Sequence, residues 1–149
     1  MEIINGERLV LGTCYYPEHW DESLWRDDLR RMLENGIEVI RIAEFAWSKI
    51  ERYEGVFNYD FYDKFLDLAE EMGMKVIFCT PTATPPAWLT EKYPEVLNAN
   101  IDGVLYRHGG RRHYNYNSPK YQELTRIIVE KSASHYAKHP AIIGWQIDN

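Results

Sequence analysis

Apolar and polar positions change period repeatedly along the chain, and each change marks an element. Arg8 to Tyr16 is a dense apolar run rich in β-formers and closed by Pro17, which predicts a first buried strand. Asp21 is placed to cap a helix running to about Asn35, with Leu24, Trp25, Leu29, Met32 and Leu33 on one stripe and Gly36 as its stop. Val39 to Ala43 reads as a second strand. Asp60 to Met72 reads as a second helix whose inner face carries Phe61, Phe65, Leu68, Ala69 and Met72, with Gly73 ending it. Lys75 to Thr80 reads as a third strand. The rhythm then breaks, because Pro81 to Asn117 holds several prolines and the Gly109-Gly110 pair, far beyond the usual connection of about 2 to 6 residues. Ser118 and Pro119 open a third helix with Leu124, Ile127, Ile128, Tyr136 and Ala137 on one face, and Ile142 to Ile147 is the fourth strand.

Strands alternate with helices, and the strands are apolar on both faces, which is the mark of a parallel α/β sheet. A (β/α)8 TIM barrel needs roughly 250 residues, so 149 residues supply the first four strands and three helices of an incomplete one. A doubly wound sheet is the rival, but it calls for a Gly-rich phosphate turn after strand one. That position reads Tyr16-Pro17-Glu18-His19. Nothing in the pattern marks a second domain, so residues 1–149 are expected to be the N-terminal part of one catalytic barrel domain.

A net charge of -6 argues against nucleic acid, whose binding relies on clustered Lys and Arg. Two cysteines, Cys14 and Cys79, are too few for a disulfide scaffold or a zinc knuckle. The N-terminus lacks a basic start with an apolar stretch, and no run approaches about 18 apolar residues, so a cytoplasmic protein without a membrane partner is expected.

Active sites of such barrels lie at strand C-termini. Strand one delivers Tyr15, Tyr16, Glu18 and His19; strand two delivers Glu44, Phe45 and Trp47; the long excursion delivers Arg111, Arg112 and His113; strand four delivers Asp148 and Asn149, which strand alternation is expected to point to opposite sides. Carboxylates, guanidinium, amide and rings together suit a neutral, hydroxyl-rich ligand. Each residue also has a plainer reading. Glu44 can pair with Arg41 or another base, Glu18-His19 can cap the next helix, and Arg111-Arg112 can be a solvated turn. His135 and His139 have the spacing of a zinc pair but no supporting acidic motif, and read as a surface helix.

Five blocks, in order, carry a resemblance: Tyr15-Tyr16-Pro17-Glu18-His19-Trp20; Arg41-Ile42-Ala43-Glu44-Phe45-Ala46-Trp47; Thr80-Pro81-Thr82-Ala83-Thr84-Pro85-Pro86-Ala87-Trp88-Leu89; Arg111-Arg112-His113-Tyr114 leading to Asn117-Ser118-Pro119; and Trp145-Gln146-Ile147-Asp148-Asn149. The chain resembles glycoside hydrolase family 42, the β-galactosidases, over the first half of their catalytic barrel. The resemblance implies retaining hydrolysis of terminal β-D-galactosyl residues by two Glu side chains, an acid/base directly after the Asp148-Asn149 pair and a nucleophile at the end of strand seven. It implies that Arg111 and Asn149 bind the sugar, that no catalytic residue lies within 1–149, that no cofactor is used, and that the parent enzyme is often a homotrimer. Some members carry a zinc cluster whose first Cys corresponds to Asn115; no metal is expected here.

The isolated chain is therefore expected to be an inactive fragment of a β-galactosidase, with strands one and four left as open edges that promote self-association. The other readings are a non-catalytic carbohydrate-binding half barrel and an unrelated phosphate- or metal-dependent α/β enzyme.

Overall fold

The computed structural model describes residues 8–110 and 112–149. In chain order its elements are β1 (Leu11–Cys14), α1 (Glu22–Glu34), β2 (Ile37–Ile42), α2 (Trp47–Ile50), α3 (Asp60–Glu71), β3 (Lys75–Cys79), α4 (Ala87–Lys92), α5 (Pro119–Tyr136) and β4 (Ile142–Gln146), with 3-10 turns at Pro17–His19, Pro81–Ala83 and Pro94–Val96. The strands form one parallel sheet in the order β1-β2-β3-β4. The expected strand and long-helix order is present. The short α2 and α4 are additions, because helices of one turn leave no periodicity to read.

Contacts divide the chain into two compact units. One comprises the described residues up to Ala43, Tyr59–Cys79 and Tyr136–Ile147; the other comprises Glu44–Asn58, Thr80–His135 and Asp148–Asn149. Their boundaries interleave at strand ends and so leave no mark in composition.

The first unit holds the sheet with α1 and α3. Asp21 caps α1 as expected, its carboxylate accepting from the Ser23 N–H at 2.9 Å, and Gly36 ends it in the left-handed region at φ 77°. Trp25 and Leu29 are fully buried, whereas Leu24 is 46% exposed. Trp25 donates its indole N–H to the Pro17 carbonyl at 3.2 Å and stands edge-on to Phe61 and Phe65. On α3 the buried residues are Tyr62, Phe65, Leu66 and Ala69, while Phe61, Leu68 and Met72 are only part-covered. The stripe is thus rotated from the expected one, since Tyr62 buries its ring despite its polar tip. Across the sheet Ile40 lies beside Val76, Ile42 beside Phe78, and Phe78 beside Trp145, with Tyr136 packed on Phe78 at 4.8 Å. On the opposite face the Arg41 guanidinium reaches the Gln146 side-chain amide oxygen and, at 3.0 Å, the Cys14 sulfur. All four residues of β1 are exposed.

The second unit gathers segments that come after the strands. Glu51 is buried and accepts from the Trp47 indole at 2.8 Å and the Gly55 N–H at 2.7 Å, which closes the turn after α2. Within the long excursion, isolated bridges join Leu97 to Tyr114 and Ala99 to Leu105. Ser118 accepts from the Tyr121 N–H at 3.4 Å where α5 begins, and α5 buries Tyr121, Leu124, Ile128 and Ser132. Ala137, expected on its inner face, lies beyond the helix end and is exposed. Among the described residues, no helix is long and apolar enough to cross a membrane.

Candidate functional site

The best-organised polar group of the second unit is built around Asp148, just beyond β4. Thr82 donates its hydroxyl to Asp148 Oδ1 and Tyr116 donates to Oδ2, both at 2.8 Å, while the Asp148 N–H donates to Thr80 Oγ1 at 2.8 Å. Both carboxylate oxygens and the backbone amide are thereby engaged. Asp148 has φ 55°, a left-handed conformation that side chains other than glycine, Asn and Asp seldom adopt. Strand alternation therefore does not govern the relation of Asp148 to Asn149, because a turn at Asp148 has already ended the strand. Asn149 comes directly after it and is exposed.

Behind this carboxylate stands a cluster of phenols. The Tyr121 hydroxyl donates to the Thr82 carbonyl at 2.8 Å, its ring stacks on Tyr114 at 4.8 Å, and the Tyr114 and Tyr116 hydroxyls lie 3.4 Å apart. Burial, and then the bond to Tyr116, push the Tyr114 phenol well above its usual pKa; burial does the same to Tyr121. These groups stay protonated and act as fixed donors. Thr80 and Thr82 are buried, so their hydroxyls are held by the fold before any ligand arrives. Sequence reading missed Thr80, Thr82 and Tyr116; the one available signal was two hydroxyls two residues apart directly after strand three.

Arg111 lies outside the described residues, as does the stretch Met1 to Asn5 on which the absence of a secretion signal was read. Residues near Arg111 are tightly arranged. Gly109 and Arg112 are left-handed at φ 88° and 53°, and His113 donates Nδ1–H to the Gly110 carbonyl at 2.6 Å. His113 is buried and stands edge-on to His108 at 5.0 Å, whose Nδ1 is 3.0 Å from the Thr90 hydroxyl. Burial, and then His113, lower the His108 pKa.

Other candidates fall to different roles. Tyr15 is buried and donates its hydroxyl to Asp28 at 2.8 Å. Glu18 does not cap α1, since Asp21 does; one of its oxygens is sealed from solvent. Burial first and Glu18 second push the Tyr62 phenol up. His19 stacks on Tyr16 at 5.2 Å and is exposed, beside a groove of about 470 Å³ that also meets Trp20, Leu24, Asp28 and Arg31. Glu44 is buried.

His135 and His139 do not share a helix, because α5 ends at Tyr136. Among the described residues Asp67, Glu70 and His139 come close enough to hold a cation. His139 Nδ1, however, accepts from the Ala141 N–H at 3.3 Å, so the neutral ring carries its proton on Nε2, which faces Asp67 at 3.5 Å. That tautomer turns an N–H toward the Asp67 carboxylate, and a metal on Nε2 needs the other one. Asn115 accepts from the Asn117 N–H at 2.9 Å and shapes the turn into α5.

A family profile described as beta-galactosidase, that of glycoside hydrolase family 42, matches residues 14–149. A β-galactosidase of Thermus sp is 46% identical over 140 residues, which is 94% of this chain and 22% of that protein. One from Halorubrum lacusprofundi is 43% identical over 139 residues, 93% of this chain and 20% of that protein. The crystal structure of a β-galactosidase from the psychrophilic Marinomonas ef1 superposes with a TM-score of 0.91 at 43% identity, covering 95% of this chain and 22% of that one. The chain thus spans about a fifth of the length of the relatives it matches. Its four parallel strands and their helices are the corresponding part of that barrel.

Proposed function

We propose, for a chain that belongs to glycoside hydrolase family 42, the β-galactosidases, that it supplies part of the galactosyl-binding subsite of an enzyme hydrolysing terminal β-D-galactosyl residues with retention. The observation that carries this reading is the end of β4, where Asp148, held by two hydrogen bonds to its carboxylate and one from its backbone amide, precedes the exposed Asn149. An amide at this place suits the 2-hydroxyl of the sugar, and bonds there that tighten in an oxocarbenium-like transition state lower the barrier by several kcal/mol. Arg111 supplies paired donors to further hydroxyls, a role its planar guanidinium fits better than an ammonium. Retention requires two carboxyl groups about 5 to 5.5 Å apart. Neither Glu18 nor Glu44 stands at a family catalytic position, so residues 1–149 bind and orient but do not cleave. The enzyme works in the cytoplasm, needs no cofactor, and is a homotrimer when whole.

The test is a chimera in which residues 14–149 replace the matching segment of the Thermus sp enzyme. It is expected to hydrolyse an aryl β-galactoside and to lose this activity on Arg111→Ala or Asn149→Ala, whereas the 149-residue chain alone is expected to be silent. An inactive chimera, or turnover by the chain alone that Arg111→Ala removes, overturns the reading.

A further inference from the structure

Resting on the galactoside reading, we propose that Asp148 is a positioning residue whose carboxylate, clamped by Thr82 and Tyr116, holds the end of β4 in a left-handed turn and so aims Asn149 at the substrate. The first support is conformational. Asp is one of the few side chains that take φ 55°, and at that angle its surroundings decide whether the turn is held. Here they hold it: the Asp148 amide is tied to Thr80 Oγ1, Oδ1 to the Thr82 hydroxyl and Oδ2 to the Tyr116 hydroxyl, each at 2.8 Å. Both carboxylate oxygens and the N–H are thus engaged, so backbone and side chain are each held.

The second support is that the clamp is itself held. Tyr121 fixes the Thr82 backbone through its carbonyl at 2.8 Å, and the Tyr114 hydroxyl lies 3.4 Å from that of Tyr116. Thr80 and Thr82 lie on the 3-10 turn after β3 and its cap, and Tyr116 lies just ahead of α5, so two separate segments of the second unit converge on one side chain. A left-handed turn alone asks for much less, since glycine takes that conformation without any network. An acceptor with two occupied oxygens sets direction as well as conformation. The next residue along the chain carries the amide assigned to the 2-hydroxyl, and misplacing such a group by about 1 Å costs on the order of 10²-fold in rate.

The experiment uses the chimera, with steady-state kinetics on an aryl β-galactoside and crystal structures of parent and variants. Asp148→Ala is expected to lower kcat about 10²-fold with KM changed less than about 3-fold, and to shift the Asn149 amide by about 1 Å. Asp148→Gly, which tolerates the turn but lacks the carboxylate, is expected to fall as far. Asp148→Asn suits the left-handed turn, keeps one acceptor, and is expected to recover at least about a tenth of the activity. Tyr116→Phe, at a half-exposed position, is expected to lower kcat about 3- to 10-fold without moving the melting temperature, and it reads the clamp even if Asp148→Ala fails to fold. Full activity in Asp148→Gly overturns the proposal, as does a fall in kcat with the Asn149 amide unmoved, or unchanged kcat in Tyr116→Phe. An inactive parent chimera sinks the galactoside reading alone, because the crystal structures still report whether Asn149 moves when the clamp is cut.

Discussion

The two units of the chain reach order by opposite means. In the first, Trp25, Phe65, Leu66, Ile40 and Phe78 are fully buried, and its aromatic rings meet in edge-on, tilted and stacked pairs without needing particular atoms to align. In the second, the decisive contacts are hydroxyl to carboxylate and hydroxyl to carbonyl, at Asp148, Thr82 and Tyr121, where one missing oxygen leaves a partner unsatisfied. A packed core tolerates many sequences of the right volume; a polar clamp tolerates few. The largest expected effect therefore lies in the first unit. Phe65→Ala deletes a buried ring between Tyr15 and Trp25 and is expected to destabilise by about 3–5 kcal/mol, measured by urea unfolding. A cost below that of a surface substitution would break the contrast at its stronger end.

A matched pair of smaller changes sharpens the same comparison. Tyr121→Phe keeps the stacked ring but strips the donor from the Thr82 carbonyl, and about 1–3 kcal/mol is expected to be lost because both groups are buried. Tyr15→Phe removes an equally short bond, but its acceptor Asp28 lies where solvent can replace the phenol, so about 1 kcal/mol or less is expected. Equal losses from the two, read side by side in urea, would mean that the polar cluster of the second unit is no more demanding than an ordinary bond in the first.

The same contrast explains what could be read without coordinates. Strand and helix limits in the first unit come from period and punctuation: Asp21, Gly36 and Gly73 stand where the pattern puts them. The rotated stripe of α3 was missed because Tyr62 counts as half polar in a pattern and as wholly buried in the fold. Arg111 and Asn149 could be placed among the residues at strand ends, but their sugar-binding role came only from a resemblance carried by whole blocks of sequence. Thr80, Thr82 and Tyr116 were not reached at all. The hydrogen bond between Thr82 and Asp148 joins residues 66 positions apart, and no local periodicity encodes such a meeting.

The smallest expected effect is a pH response confined to the second unit. His108 offers Nδ1 to the Thr90 hydroxyl and faces the buried ring of His113, and both burial and that neighbour disfavour its charged form. Its folded pKa thus lies below the value of 6.5 expected when unfolded. Over that interval the unfolded chain binds the extra proton, so stability is complete above 6.5, declines as pH falls through that value toward the folded pKa, and is level again below it. His113 is the ring that faces it, and protonating His108 places a charge beside that buried neighbour. Melting curves taken between about pH 7.5 and 5 are expected to fall for the parent and to flatten for His108→Gln, which keeps a hydrogen-bonding side chain but cannot charge. A parent curve that is flat, or that falls equally in the variant, would place the titrating group elsewhere.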